Sequence, residues 1–383
     1  MRRPGKNPAK RRAWLIALCA LGLAATRCGN KSGDISALVK PKPKTYKAVV
    51  VDSALPADTL LVATLNMSVG FPVAHLLFKD MANDTIAYKE LTELYQRFLK
   101  GNPKGRVREM ARAIVAEKPD LVGLQEVVVL EVSDILISDF LGELLQAIKD
   151  MGGPAYFPLA TVYNDTLLRG RKGGDSIVLF FQEGNTLLAK PGMTVLDSGR
   201  FTYFSLLPIP IEGAGDTERG FNYLRLKTPK GIEFQAFNTH LEVVENYRNS
   251  QAKELMRLAD SLAVAESLVV EDTLHLRYRA QLILGDFNDE PGIGSHRVAT
   301  EAGFKDIFPS NPRDTGYTCC LAGSALWKPD TAFSNRRIDY IFGRYGAGGL
   351  ENWTALMAPY ADSSGNKFLA SDHRMVFARL FIP

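Results

Sequence analysis

Cysteine and histidine are scarce in this chain, with four and five copies among 383 residues. No two of them have the spacing of a structural zinc site, which argues against a module folded around zinc. Cys19 and Cys28 fall near the N-terminus, whereas Cys319 and Cys320 are neighbours. Adjacent cysteines can close only a small, strained ring, so two packed thiols or one redox-sensitive vicinal bond are expected there, ahead of a metal site. Internal repeats and long low-complexity tracts are also missing. The length allows one large domain or two small ones, and a 46% apolar composition is ample for a core.

A membrane-spanning run is lacking at the N-terminus as well. The apolar stretch from Ala13 to Thr26 is too short to cross a bilayer comfortably, and it follows the basic cluster Arg2, Arg3, Lys6, Lys10, Arg11 and Arg12. That pattern predicts a signal peptide over residues 1–27. Cys28 stands where a bacterial lipoprotein would be cleaved and acylated, although Arg27 departs from the small residue expected before such a cysteine. A lipid tether through Cys28 is therefore left open, and Arg11-Arg12-Ala13-Trp14-Leu15 bears a faint likeness to a twin-arginine signal. Residues 28–57, with Pro41 and Pro43, are expected to form a tether, and residues 58–383 the catalytic domain. The expected location is outside the cytoplasm: periplasmic, attached to the cell envelope as a lipoprotein, or secreted. Residues 1–27 hold seven Lys or Arg and no acid, so their removal takes the formal charge from +4 to −3. A general attraction to polyanions is then unsupported, although a local basic patch is compatible with that total.

What the chain does have is a series of apolar strands that stop at polar groups. Leu282-Ile283-Leu284 runs through Gly285, expected to let the chain turn, into Asp286, Phe287 and Asn288. Asp286 and Asn288 should emerge on one side, although an Asx turn would explain the same letters. Leu60 to Leu65 ends at Asn66, Leu121 to Gln125 at Glu126, and Phe234 to Thr239 at His240. Arg336 to Phe342 carries one acid, Asp339, inside an otherwise apolar strand, and Ser371-Asp372-His373 opens the last strand. Such residues, scattered through the chain, imply a site assembled by the fold.

Taken in order, Leu-Gln-Glu, Asn-Thr-His-Leu, Gly-Asp-Phe-Asn, Arg-Ile-Asp-Tyr-Ile and Ser-Asp-His resemble the endonuclease/exonuclease/phosphatase superfamily. The resemblance runs from about Leu60 to the C-terminus and implies a DNase I-like fold. The patterning agrees. Val376, Ala378, Leu380 and Ile382 should face one way and Met375, Phe377 and Phe381 the other, so the strand needs cover on both sides. Apolar stripes at Val107, Met110, Ala111, Ile114 and Val115, at Ile137, Phe140, Leu141, Leu144 and Ile148, and at Ala252, Leu255, Ala259 and Leu262 supply covering helices. The expectation is an α/β protein, a four-layer α/β/β/α sandwich of two mixed sheets packed face to face with helices outside. Residues 71–102 read as a helical insertion in which His75 is a packed side chain. His275 and His296 receive no role.

The resemblance implies metal-dependent hydrolysis of a phosphodiester. Carboxylates and amides without soft ligands point to Mg²⁺, with Mn²⁺ or Ca²⁺ as alternatives. Glu126 is the expected first metal ligand, assisted by Asn66 directly or through water, with Asp372 facing the metal. His373 is the candidate general base, and the resemblance assigns Asp339 to orient it. Asp286 would orient the attacking water or serve a second metal, Asn288 would bind a phosphoryl oxygen, and His240 would hold another or protonate the leaving group. Arg219 either adds positive charge to the substrate pocket or is a surface residue. Arg248 and Gln251 are expected to serve packing and supporting hydrogen bonds. His240 sets the chain apart from exonuclease III-type repair enzymes, which usually carry tyrosine and asparagine at that point. An endonuclease/exonuclease-type enzyme is the leading expectation and a sphingomyelinase or phospholipase C-like phosphodiesterase the alternative. The stretch Phe201 to Ile211 is either a lipid-facing loop or a core strand running into a turn. A non-catalytic binding protein is a third reading, disfavoured because the whole residue set is present. No obligate protein partner is evident.

Overall fold

The computed structural model describes residues 48–51, 57–70, 81–208, 216–265, 268–270, 273–276, 278–308, 316–320, 326–328, 335–356 and 358–382. The expected signal peptide, Cys28, His75, residues 209–211 of the apolar stretch and most of the expected tether lie outside them.

Thirteen strands build two sheets. The first holds β1 (Asp58–Asn66), β2 (Leu121–Val132), β3 (Ile135–Asp139), β4 (Phe157–Lys172), β5 (Asp175–Ala189), β12 (Gly348–Ala355) and β13 (Met375–Ile382). Its order is β12-β13-β1-β2-β5-β4, with β3 paired to β2. The second holds β6 (Thr194–Thr202), β7 (Gly220–Lys227), β8 (Glu233–His240), β9 (Gln281–Asp286), β10 (Lys305–Asp306) and β11 (Asp339–Arg344), in the order β10-β11-β9-β8-β7-β6. Each sheet contains one parallel pair, β1 with β2 and β8 with β9. Parallel neighbours need a crossover, supplied by helices α1 (Asp84–Lys100) and α2 (Pro103–Glu117) in the first case and α4 (Glu245–Ala265) in the second. Helices α3 (Phe140–Asp150) and α5 (Gly294–Glu301) complete the set used below.

Three apolar layers explain why these strands are greasy on both faces. Leu60, Val62, Leu121, Leu187, Leu282, Leu284, Val376, Ala378 and Leu380 pack between the sheets. Ala63, Leu65, Val122, Leu124 and Phe377 pack outward with Val107, Met110, Ile114, Phe140 and Leu144. Phe237, Ile283 and Phe342 pack on the other side with Ala252, Leu255 and Ala259. This is the expected four-layer α/β/β/α sandwich, and each buried Leu or Phe contributes about 2 kcal/mol to it. The last strand alternates as its sequence predicts, except that Phe381 is exposed rather than packed. Ile137 belongs to β3 rather than to the helix that follows it.

Two further differences concern the ends. Ala48–Val51, inside the expected tether, forms a strand parallel to Thr273–Leu276. His275 therefore lies in a strand rather than in a connecting stretch. The expected helical insertion contains α1, whose N-cap Asn83 accepts the N–H groups of Thr85 and Ile86.

Candidate active site

Asn66, His240 and Asp286 end their strands, Asp339 begins one, Glu126 lies within β2, and Asp372 and His373 precede β13. Register explains the convergence: His240 is level with Asp286 across the parallel pair β8 and β9, and Asp286 is level with Asp339 across β9 and β11. Gly285, expected to permit a turn, lies within β9 instead. It has φ +146°, and a Cβ there would come within 2.0 Å of the Thr239 carbonyl oxygen. Glycine is needed because β8 and β9 run close together beneath His240 and Asp286. In β2 the register to β5 shifts between Leu124 and Val127, and Glu126 adopts φ +51°. That bulge releases Glu126 from the strand's alternation and turns it into the site.

Asp286 is the hub. Its Oδ2 accepts the Asn66 amide at 3.0 Å and lies 3.6 Å from His240 Nε2 and 3.8 Å from His373 Nε2. Its Oδ1 accepts the Asn288 N–H at 2.8 Å, so the Asx turn and the site coexist. Asn288 donates its side-chain amide to the Leu241 carbonyl at 2.8 Å. His373 Nδ1 is 2.8 Å from Asp339 Oδ2, which fixes the ring with Nε2 toward Asp286. Asp339 is itself held by the Thr318 hydroxyl, which accepts its backbone N–H at 3.1 Å. Burial disfavours the charged ring of His373, but Asp339 outweighs that and raises its pKa well above the ordinary range.

The acids on the other side crowd one another. Glu126 Oε1 accepts the Asn66 amide at 2.9 Å and Oε2 accepts the Val69 N–H at 2.6 Å. Burial, then Glu183, with a smaller contribution from Asp372, raises its pKa, because the anion is both desolvated and repelled. A cluster of hard oxygen donors under mutual repulsion fits a divalent cation, which would relieve both penalties. Asn66 turns its amide nitrogen toward the acids and its oxygen to the Ser68 N–H at 2.9 Å. Ligation by Asn66 would therefore require the oxygen to turn inward or a water to intervene.

Arg219 is half-buried and turned into the site rather than a free surface residue. It donates to His240 Nδ1 at 2.6 Å and to Glu183 Oε1 at 2.8 Å. An arginine can only donate, so the ring hydrogen of His240 sits on Nε2, facing Asp286. Burial raises the Glu183 carboxyl, but Arg219 and His240 outweigh it and bring the pKa down to about 2. Among the described residues two groups have the spacing of a metal site, Glu126 with Glu183 and His240, and Asp286 with Asp339 and His373; the Arg219 guanidinium already supplies a cation beside Glu183 and His240, and Asp372, near enough to repel Glu126, is in neither group.

The sequence reading missed Glu183, since a single acid beside a glycine in a long strand carries no motif. It also missed Gln125 and Asn238 as linkers between the sheets. Gln125 donates to Asn238 Oδ1 at 2.6 Å, and Asn238 donates to the Leu124 and Thr186 carbonyls at 3.0 and 3.1 Å. Arg248 grips Asp289 at 2.8 and 2.9 Å, and Gln251 joins the Glu242 N–H to the Ser205 carbonyl, both at 2.8 Å. Cys319 and Cys320 form a disulfide with each other.

A model of the endonuclease/exonuclease/phosphatase family matches residues 63–373. Among solved structures, the chain is similar to a protein of that family from Bacteroides thetaiotaomicron. The TM-score is 0.54 at 16% identity, covering 86% of this chain and 99% of that one. It is also similar to a mannosyl-6-phosphatase of the same organism, with TM-score 0.52 at 17% identity, covering 84% of this chain and 99% of that one. At these identities the likeness is one of fold. No match was found among curated proteins.

Proposed function

The chain belongs to the endonuclease/exonuclease/phosphatase family, whose members hydrolyse phosphoester bonds and typically require a divalent metal, and from that premise we propose an exported phosphodiesterase that cleaves nucleic acid. The observation that carries the reading is the convergence of His240 Nε2 and His373 Nε2 on Asp286 Oδ2, at 3.6 and 3.8 Å. Water attacking phosphorus must lose a proton while the bond to the leaving oxygen breaks. His373 in its neutral form takes that proton at Nε2, a form a bound divalent cation would favour by offsetting the acids that raise its pKa, and Asp339 at Nδ1 offsets the positive charge that results. Asp286 orients the water between the two rings. His240 donates from Nε2 to a phosphoryl or leaving oxygen, with Arg219 holding its tautomer. Asn288 lies beside Asp286 as a further phosphoryl contact. Glu126 and Asp372, with Asn66 beside them, would hold Mg²⁺ (or Mn²⁺ or Ca²⁺ in its place), which would supply positive charge to offset that on the phosphoryl oxygens. The same proposal takes residues 1–27 as the export signal and Cys28 as the point of a lipid tether if it is acylated.

A lipid head group is the second reading, supported by apolar side chains on the rim. Phe204 is 62% exposed and Val243 56%. Both loops are tied to Gln251 of α4, which brings them near each other on the His240 side.

The test is Mg²⁺-dependent hydrolysis of plasmid DNA, sphingomyelin vesicles and a mannosyl 6-phosphate in parallel, with His373→Ala as control. We expect DNA cleavage that falls roughly 100-fold or more in the variant. Phosphocholine release without DNA cleavage would replace the nuclease reading by the lipid one. Phosphate release from the sugar alone would make the enzyme a phosphomonoesterase.

A further inference from the structure

Arg106 is fully buried on the inward face of α2, whose other buried side chains are apolar apart from the first-turn Pro103. Burying a guanidinium costs several kcal/mol, so a lone one in an apolar stripe calls for a reason. Among the described residues no carboxylate accepts a hydrogen bond from it, and Asp372 and Glu126 act on it through their charge alone. Its hydrogen bonds run to three carbonyls: Met67 at 2.6 Å, Ser68 at 2.5 Å and Ala370 at 2.8 Å. The first two lie just after β1, and the third lies just before Ser371-Asp372-His373. Gly70 leaves it room, since a Cβ there would sit 2.5 Å from the guanidinium.

Both segments belong to the site. The Val69 N–H holds Glu126, and Ser68 holds the Asn66 oxygen. Ser371 donates its hydroxyl to the Asn66 carbonyl at 2.7 Å and accepts the His373 N–H at 3.0 Å. Burial brings the guanidinium down to about 10, against the pull of Asp372, Tyr360 and Glu126, so it stays charged at neutral pH.

We propose that Arg106 is the positioning residue of the metal-binding half of the site, one guanidinium locking the Met67–Gly70 and Ala370–His373 segments together so that Glu126 and Asp372 face a single cation. This rests on the metal reading above. Its charge alone would repel a metal ion, so a purely electrostatic role predicts tighter binding once Arg106 is neutralised. Positioning predicts the reverse.

The full chain, its Arg106→Met and Arg106→Lys variants and Glu126→Gln are titrated with Mn²⁺ by calorimetry, with thermal unfolding to confirm folding. We expect binding at least ten-fold weaker in both Arg106 variants, because neither side chain spans three carbonyls. Wild-type or tighter affinity in either folded variant overturns the proposal. Amide exchange on the unsubstituted chain supplies an arm that needs no variant. Mn²⁺ should slow exchange at Val69 and His373 together, and protection of only one overturns the idea. Wild-type protein that binds no Mn²⁺, or Glu126→Gln that binds normally, defeats the metal reading and this proposal with it. Loss in Glu126→Gln without loss at Arg106 defeats this proposal alone.

Discussion

His373 meets the buried Asp339 and His296 the half-buried Asp306, and the contrast between them shows which ring nitrogen is left available. His296 accepts the Gly292 N–H at Nδ1, at 3.0 Å, and donates Nε2 to Asp306 at 3.2 Å, so both nitrogens are occupied. His373 binds Asp339 through Nδ1 and leaves Nε2 facing Asp286. Histidine identity was legible in the sequence, but which ring nitrogen stays available depends on partners far along the chain. The Asp306 pair offers a test of stability away from the acids proposed to hold a metal. Burial raises this carboxyl, but His296 and then Arg337, 2.6 Å away, outweigh it and lower its pKa below 3.8. A depressed folded pKa contributes stability above the unfolded value, and that contribution is lost as pH falls through the folded one. Asp306→Asn should therefore cost about 2 kcal/mol at pH 7, with the gap to wild type closing below pH 3.8 in urea unfolding. A gap that stays constant down to acid pH would show that the charge of Asp306 contributes nothing.

Strands set the reach of each candidate side chain, and their apolar runs and polar stops were readable because burial on both faces leaves a plain signature. The departures from regular strand were not readable. Nothing in Leu-Gln-Glu signals a bulge with Glu126 at positive φ, since that distortion comes from the register against β5. Gly285 was visible as a glycine but assigned to a turn, because the close approach of Thr239 exists only after β8 and β9 pair. Gly285→Ala combines positive φ with a backbone clash, and should cost on the order of 3 kcal/mol. It should also reduce activity beyond what stability explains, since His240 and Asp286 flank the contact. A melting temperature equal to wild type would mean that β8 and β9 separate without cost. Arg106 was overlooked for a related reason. Its helix was recognised by its apolar neighbours, and a charged residue in the stripe looks like noise until its three carbonyl partners are known.

The two sheets are joined by apolar layers and by a buried polar chain below the site, from Gln125 through Asn238 to Asn222, where Asn238 donates to Asn222 at 3.2 Å. Layer order was predictable from the alternation in β13 and the stripes of α2 and α4. The domain's edge was less so. Ala48–Val51 pairs with Thr273–Leu276, although residues 28–57 read as a tether. A chain beginning at residue 57 should therefore melt a few degrees below one beginning at residue 47, with activity retained in both. Equal melting temperatures in calorimetry would show that this strand adds nothing to the domain.

The sequence by itself determined the family and the four-layer architecture and named the candidate site residues, because burial patterns and short polar motifs are local. Beyond the Asp339–His373 pair that the resemblance implied, tertiary structure alone decided which groups are coupled: Glu183 with Arg219 and His240, and Arg106 with two segments, its longest contact spanning 264 positions. Those couplings depend on strand register and on desolvation at the sheet edge. Both arise only when distant segments pack, and so no local stretch of the chain encodes them.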